Sequence, residues 1–422
     1  MNSAKKAHVI VGASAAGMAA ATAIREIDSL GTVTVLSAER EMPYFRPMFP
    51  FIISSQKSVS EVSLIDKGPY VQTGINVRTA ATVARLDPRR GNVELESGES
   101  VPYDRLLIAT GSAPYIPPEI EGFDTEGAYA LRTLADAKAA EKRATWTRRA
   151  VMIGGGLVNL KAAFALLERG ISVALVVYSP EVLSQLMEPH DARLVRQVLE
   201  SAGLEIITGR SVVTIDSGTS GVSSVLLDNG QELPCEMVMV GKGVRPNTDF
   251  LEDSGVALDQ GVVVDACTET NLPNIFAAGD VAVTFNPITG ERVMTGLWTN
   301  AVEMGRCAGR NMAGQTSRYT GTFGIMNATQ TANLPFISMG IVHTQGDDFS
   351  VRSFKTATTL RKLVFSKEED RLLGVVLIGD ITNAGLYRLL IRERRDVAPI
   401  KSTLIENRLH YGHLLPKTWM GR

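Results

Sequence analysis

The chain has 422 residues, 45% of them hydrophobic and 21% charged, with a formal net charge of −2. This composition excludes a disordered chain and suits two or three globular domains. It offers no basic field for nucleic acid, and no apolar run reaches the roughly 18–20 residues that span a bilayer. The three cysteines, Cys235, Cys267 and Cys307, are too scattered for a zinc site or an iron–sulfur cluster, so no metal is expected.

The opening MNSAKKA passes at once into HVIVGASAAGMAAATAI, with no secretory pattern, which predicts a cytoplasmic protein. His8 to Val11 reads as an apolar strand and Gly12 as a tight turn. Gly17 lets the following helix pack on the sheet while its first N–H groups face a pyrophosphate. Ser14 stands where the usual pattern has its middle glycine, so a phosphate there meets a small hydroxyl. The strand TVTVLSAER ends in Glu39, placed either to take ribose hydroxyls or to remain a surface charge. NVELESGESVPYDRLLIATGSAP predicts a hairpin about Ser97-Gly98 and a buried strand ending at Ala109-Thr110-Gly111.

RRAVMIGGGLVNLKAAFALLERGISVALVVYSP repeats the strand, glycine turn, helix and strand, with Leu157, Leu160, Phe164 and Leu167 as an expected apolar stripe. QGVVVDACTETNLPNIFAAGDVA returns to strand pattern and is expected to rejoin the first sheet, and an acidic helix N-cap at Asp280 after Gly279 is compatible with NIFAAGDVA. From about Phe323, RKLVFSKEEDRLLGVVLIGD and LYRLLIRERRD predict strands and then a helix. The expected fold class is α/β with two dinucleotide-binding, Rossmann-like domains, the second inserted in the first, plus a C-terminal α+β domain. The expected boundaries are 1–115 with 250–322, then 116–249, then 323–422.

The motif order GASAAG, YFRPMFP, IATGSAP, ALRTLADA, IGGGLVNLKAA, GKGVRPNT and FAAGDVA resembles the FAD- and NAD-dependent pyridine nucleotide-disulfide oxidoreductase family along nearly the whole chain. Within it, the chain is similar to the rubredoxin and ferredoxin reductases. EMPYFRPMFPFIIS and LKAA look most like the flavoprotein subunits of NADH-dependent, phenylglyoxylate-type 2-oxoacid dehydrogenases. The resemblance implies FAD and NAD as cofactors, FAD in the split first domain and NAD in the inserted one. It places Gly12, Ser14, Ala15 and Gly17 at the FAD pyrophosphate, Glu39 at the ribose, Arg46 along the dinucleotide and the Val83 backbone at the adenine. It also places Ala109, Thr110 and Gly111 around the cofactor at the domain crossover and Asp280, beside Gly279, on the ribityl chain. Arg132 and Trp298 fall near the flavin, though Trp298 equally suits the core. Gly154, Gly156, Leu157, Val158, Tyr178 and Gly243 complete the cofactor-binding set.

Departures from the family pattern shape the expected chemistry. Disulfide reductases of this family carry a redox cysteine near the position of Arg46-Pro47-Met48; here proline stands there, so no catalytic protein residue is expected and electrons must leave for an external acceptor. Related ferredoxin reductases pair a lysine near the flavin with a glutamate on the nicotinamide helix; here those positions read Phe51 and Lys161. Lys161 is either a flavin-tuning cation or a solvated helix lysine. Asn159 replaces the third glycine of the second turn, and Tyr178-Ser179 replaces the acid that selects NAD or the arginine that selects NADP, so NADH is favoured for want of a cation cluster.

The resemblance implies as partners the iron–sulfur and thiamine-diphosphate subunits of a 2-oxoacid oxidoreductase complex, or a ferredoxin-like carrier, with no nucleic acid and no membrane. The expected function is an FAD-containing subunit moving electrons between such a carrier and NAD. A stand-alone NADH-dependent rubredoxin or ferredoxin reductase, and an FAD-binding assembly or sensing subunit without NADH turnover, remain open at this stage.

Overall fold

The computed structural model describes residues 5–64, 74–322, 327–344, 346 and 348–415. The chain divides into two compact units: residues 1–117, 130–145 and 242–322 form the first, and 118–129, 146–241 and 323–422 the second.

The first unit is built on a parallel sheet ordered Ile275–Ala277, Arg105–Ile108, Ala7–Val11, Thr32–Leu36, Ile75–Arg78. Val9, Ile10 and Leu106–Ile108 are almost wholly buried, as in a sheet covered on both faces. The expected return of the chain after Gln260 is thus realised by Ile275–Ala277, which pairs with Arg105–Ile108. The predicted hairpin is present as Asn92–Leu95 and Ser100–Pro102, turning through Gly98 at φ +84°. The crossover helix Ala15–Ile27 packs against a second helix, Trp298–Met312. That approach requires glycine: a Cβ at Gly305 would lie 2.2 Å from the Ala16 carbonyl oxygen, and one at Gly309 2.4 Å from that of Ala20.

Residues 130–145 and 242–249, expected with the inserted domain, belong to this first unit. The helix Leu134–Arg143 is capped by Thr133, whose hydroxyl accepts from the Asp136 N–H at 3.2 Å. Leu134 and Ala137 share a buried cluster with Tyr44, Phe49, Ile52 and Val62, and this packing is what draws the segment into the unit.

The second unit has its own parallel sheet, ordered Glu205–Thr208, Ser172–Val177, Arg149–Ile153, Met237–Val240, Ala128–Tyr129, with the helix Leu157–Leu167 as a crossover. Of the expected stripe Leu157, Leu160, Phe164 and Leu167, only Leu160 is fully buried; the buried face is Asn159, Leu160, Ala162, Ala163, Ala165 and Leu166, where small alanines allow close approach to the sheet. The C-terminal segment supplies an antiparallel sheet ordered Asn327–Thr331, Leu334–Gly340, Leu372–Ile378, Leu360–Ser366, Phe349–Lys355, followed by the helix Ala384–Arg392. Lys362 projects from this sheet, 3% exposed, and its Nζ lies 2.7 Å from Glu188 Oε2 and 3.4 Å from Asp191 Oδ2. Among the described residues no helix is long and apolar enough to cross a membrane.

Candidate functional site

In the first unit the strand Ala7–Val11 runs into Gly12, which holds φ +115°. A Cβ there would sit 2.1 Å from the Ala109 carbonyl oxygen, and one at Gly17 would sit 1.9 Å from that of Gly12. Both glycines are therefore demanded by backbone crowding where strand, turn and helix meet. Ser14 is the N-cap of the helix beginning at Ala15 but makes no side-chain cap bond. Its hydroxyl instead accepts from Arg46 Nε at 3.1 Å, which brings a guanidinium to a helix N-terminus. Cation, hydroxyl and helix dipole at one point suit a pyrophosphate.

Arg46 is the hub of a chain of polar contacts that sequence reading did not foresee. It donates from Nη2 to Glu39 Oε1 at 2.5 Å and from Nη1 to the Arg132 carbonyl oxygen. The other Glu39 oxygen accepts from the Tyr44 hydroxyl, which in turn accepts from the Leu134 N–H at 3.0 Å. Burial holds the Tyr44 phenol well above its ordinary value of 10.0, so it stays a donor. Arg132 carries the chain onward: its Nη2 donates to Asp280 Oδ2 at 3.0 Å, an oxygen that also accepts from Ser112 Oγ at 3.1 Å. Gly111 leaves room for this guanidinium, since a Cβ there would lie 3.0 Å from Arg132 Nη2. Two donors on Oδ2 fix the carboxylate plane.

The chain does not enter a helix after Asp280. It continues as the strand Ala282–Phe285, so the alternative of Asp280 as a helix N-cap is not realised, and the next helix is Trp298–Met312. Trp298 stacks edge-on against Phe45, with ring centroids 4.6 Å apart at 86°, and also packs on the unit's core. Phe45 immediately precedes Arg46, so the aromatic pair adjoins the polar chain. Val83 opens the strand Val83–Asp87, opposite Leu95, and packs on the same core. Ala109 donates its N–H to Val11 at 2.8 Å.

At the crossover, Thr110 Oγ1 donates to the Asn247 carbonyl oxygen at 2.8 Å and Asn247 Nδ2 donates back to that of Thr110 at 3.0 Å. These bonds clip the antiparallel strands Ser112–Pro114 and Val244–Pro246 together. Gly243, at φ +101°, lies just ahead of the second strand. Tyr44, Phe45, Ser112 and Asn247 were not singled out from sequence, although each lies in or beside a quoted motif.

In the second unit, Gly154 turns at φ +109° and Gly156 caps the helix beginning at Leu157. A Cβ at Gly156 would meet open space, so the backbone there is free to touch a ligand. Leu157 is half-buried; Val158 and Tyr178 are exposed. Lys161 lies on the same helix, half-buried, and burial holds its ammonium below the usual 10.5. Among the described residues no three His, Cys, Asp or Glu side chains gather as a metal site.

Comparison with known proteins accords with this pair of turns. The sequence profile of the pyridine nucleotide-disulphide oxidoreductase family matches residues 6–305. The NADH-dependent phenylglyoxylate dehydrogenase subunit epsilon of Aromatoleum evansii is 31% identical over 416 residues, covering 98% of both chains. The rubredoxin-NAD(+) reductase of Ectopseudomonas oleovorans is 29% identical over 311 residues, covering 73% of this chain and 80% of that one. In structure, the covalent putidaredoxin reductase–putidaredoxin complex superposes with a TM-score of 0.85 at 23% identity, covering 96% of this chain and 99% of that one, a likeness of fold.

Proposed function

This chain belongs to the pyridine nucleotide-disulphide oxidoreductase family, as an NAD(H)-dependent flavoprotein oxidoreductase of the ferredoxin/rubredoxin reductase type, and from that premise we propose that it passes electrons between an iron–sulfur carrier and NAD within a 2-oxoacid dehydrogenase complex of the phenylglyoxylate type. The similarity over 98% of both chains to a subunit of such a complex supports the assembly. Its cofactors are FAD and NAD(H). When bound, the flavin supplies hydride acceptance coupled to the release of single electrons.

The chain's own residues hold, orient and screen. Gly12 and Gly17 would let the backbone approach the pyrophosphate, Ser14 and Arg46 would offer it a hydroxyl and a cation, and Asp280, held in one orientation by Arg132 and Ser112, would accept from the ribityl chain. Phe45 and Trp298 form an apolar wall beside these groups.

The observation that carries the external-acceptor reading is the Arg46–Met48 turn, which presents an exposed Pro47 and no thiol beside the polar chain. Cys235 is fully buried, with its thiol pushed up to about 12 by burial, and Cys307 is buried too. None of the three cysteines lies in that turn to take electrons from a flavin.

The test is an anaerobic titration of the FAD-loaded chain with NADH and, separately, NADPH, followed by flavin bleaching, and then reoxidation by a small iron–sulfur protein. NADH bleaching with rapid reoxidation by that protein is the expected result. No bleaching by either nucleotide would refute electron exchange with NAD in the isolated chain.

A further inference from the structure

The third glycine of the second turn is missing, and the structure shows what replaces it. Asn159 is only 2% exposed. Its Nδ2 donates to the Ile153 carbonyl oxygen at 2.8 Å and to that of Gly154 at 2.9 Å. The space for this side chain comes from Gly241, at the end of the neighbouring strand Met237–Val240. A Cβ at Gly241 would lie 2.5 Å from Asn159 Oδ1 and 2.6 Å from its Cγ. Gly241 also donates its N–H to the same Ile153 oxygen at 2.8 Å. The missing glycine has in effect moved across the sheet, and an amide fills the gap.

The bond to Gly154 has a directional effect. In a planar trans peptide the C=O and the following N–H point opposite ways. Holding the Gly154 carbonyl on the buried amide therefore turns the Gly155 N–H away from Asn159. Beyond it, Gly156 opens onto free space at the helix N-terminus.

We propose that Asn159, seated against Gly241, is a positioning residue that locks the glycine turn with its N–H groups aimed at the pyrophosphate of NAD(H). The proposal rests on the reading of this turn as the NADH site. An ordinary third glycine gives only close packing; here a hydrogen-bonded side chain sets the peptide plane as well.

The experiment uses the full FAD-loaded chain and three variants: Asn159→Leu, which keeps the volume but loses the amide, Gly241→Ala, and the double variant Asn159→Gly/Gly241→Ala. Losing two buried hydrogen bonds predicts a rise of roughly tenfold in the KM for NADH for Asn159→Leu, with kcat changed far less. Amide hydrogen exchange across residues 153–160 of the nucleotide-free protein should quicken in step. Gly241→Ala should weaken NADH binding similarly, while the double variant should bind more tightly than Gly241→Ala alone, because the clash is relieved. If Asn159→Leu keeps the wild-type KM and the wild-type exchange rates, the role given to Asn159 is overturned while the NADH site stands. If the wild-type chain fails to bind NADH, the reading of the turn itself is overturned.

Discussion

Replacing Arg46 by methionine tests the polar chain at its hub. The guanidinium donates to Ser14 Oγ, to the Arg132 carbonyl oxygen and to Glu39, in a pair whose side chains are only 20% and 23% exposed. Net losses of about 1 kcal/mol for each of the two oxygen contacts, plus up to about 1 kcal/mol for a partly screened ion pair, sum to about 2–3 kcal/mol. Those contacts exist without FAD, so that sum is lost from folding stability; FAD affinity falls by roughly 10- to 150-fold, for the one charge-assisted contact of about 1.5–3 kcal/mol that Arg46 would make to the pyrophosphate. Titration of the deflavinated protein with FAD, followed by fluorescence quenching, measures this directly. Arg46→Lys keeps the charge without the planar fork and should fall between. Glu39→Gln combined with Arg46→Met should bind FAD better than Arg46→Met alone, because no unpaired carboxylate remains. An Arg46→Met protein that binds FAD as tightly as wild type would refute the assignment of Arg46 to the cofactor.

Three further outcomes follow from features elsewhere. Lys362→Met leaves Glu188 and the buried Asp191 facing each other without their cation, so the urea midpoint should fall by the equivalent of about 3 kcal/mol, and adding Glu188→Gln and Asp191→Asn should recover most of it. Burial holds the fully buried His8 below its ordinary 6.5 despite Asp28 at 3.0 Å, so the unfolded chain takes up a proton that the folded one refuses as pH drops below about 6.5. Thermal midpoints should therefore decline on acidification through that window, and decline less in His8→Val; Asp28, held low chiefly by the Gly31 N–H, adds a further loss as pH falls below its ordinary 3.8. A variant with Cys235, Cys267 and Cys307 all changed to alanine should keep NADH-dependent reduction of an iron–sulfur acceptor, assayed in steady state, since no thiol adjoins the Arg46–Met48 turn.

What was legible in the sequence was local. The crowding at Gly12 comes from distant Ala109 and was not legible, but Gly12 and Gly17 announce their turn because strand, turn and helix are consecutive and the crowding at Gly17 is local, from Gly12. The hairpin about Gly98 was legible for the same reason. The helix entertained after Asp280 was not borne out: Val281-Ala282-Val283-Thr284-Phe285 has the β-branched and aromatic character of a strand and becomes one. On the second crossover helix Leu160 is buried as expected, but Leu157, Phe164 and Leu167 are not fully buried, and alanines face the sheet in their place. Residues 130–145 join the first unit through Tyr44 and Phe49, and Asn159 is accommodated by Gly241; both partnerships join segments far apart in sequence, beyond the reach of any periodicity.

The sheet order of the first unit bears on how the protein is made. Arg105–Ile108 lies inside that sheet only because Ile275–Ala277 pairs with it. During translation its partner emerges about 170 residues later, and at ~5–20 residues per second the wait is on the order of 10–30 s. Until then Leu106, Leu107 and Ile108 form the rim of an unfinished sheet, with peptide groups open to any passing strand. The nascent chain thus carries a sticky apolar edge while the whole inserted segment is being synthesised. Low yield or inclusion bodies at high expression rates, relieved by slower synthesis or by a holding chaperone, would trace to this order of assembly rather than to weakness in the finished fold.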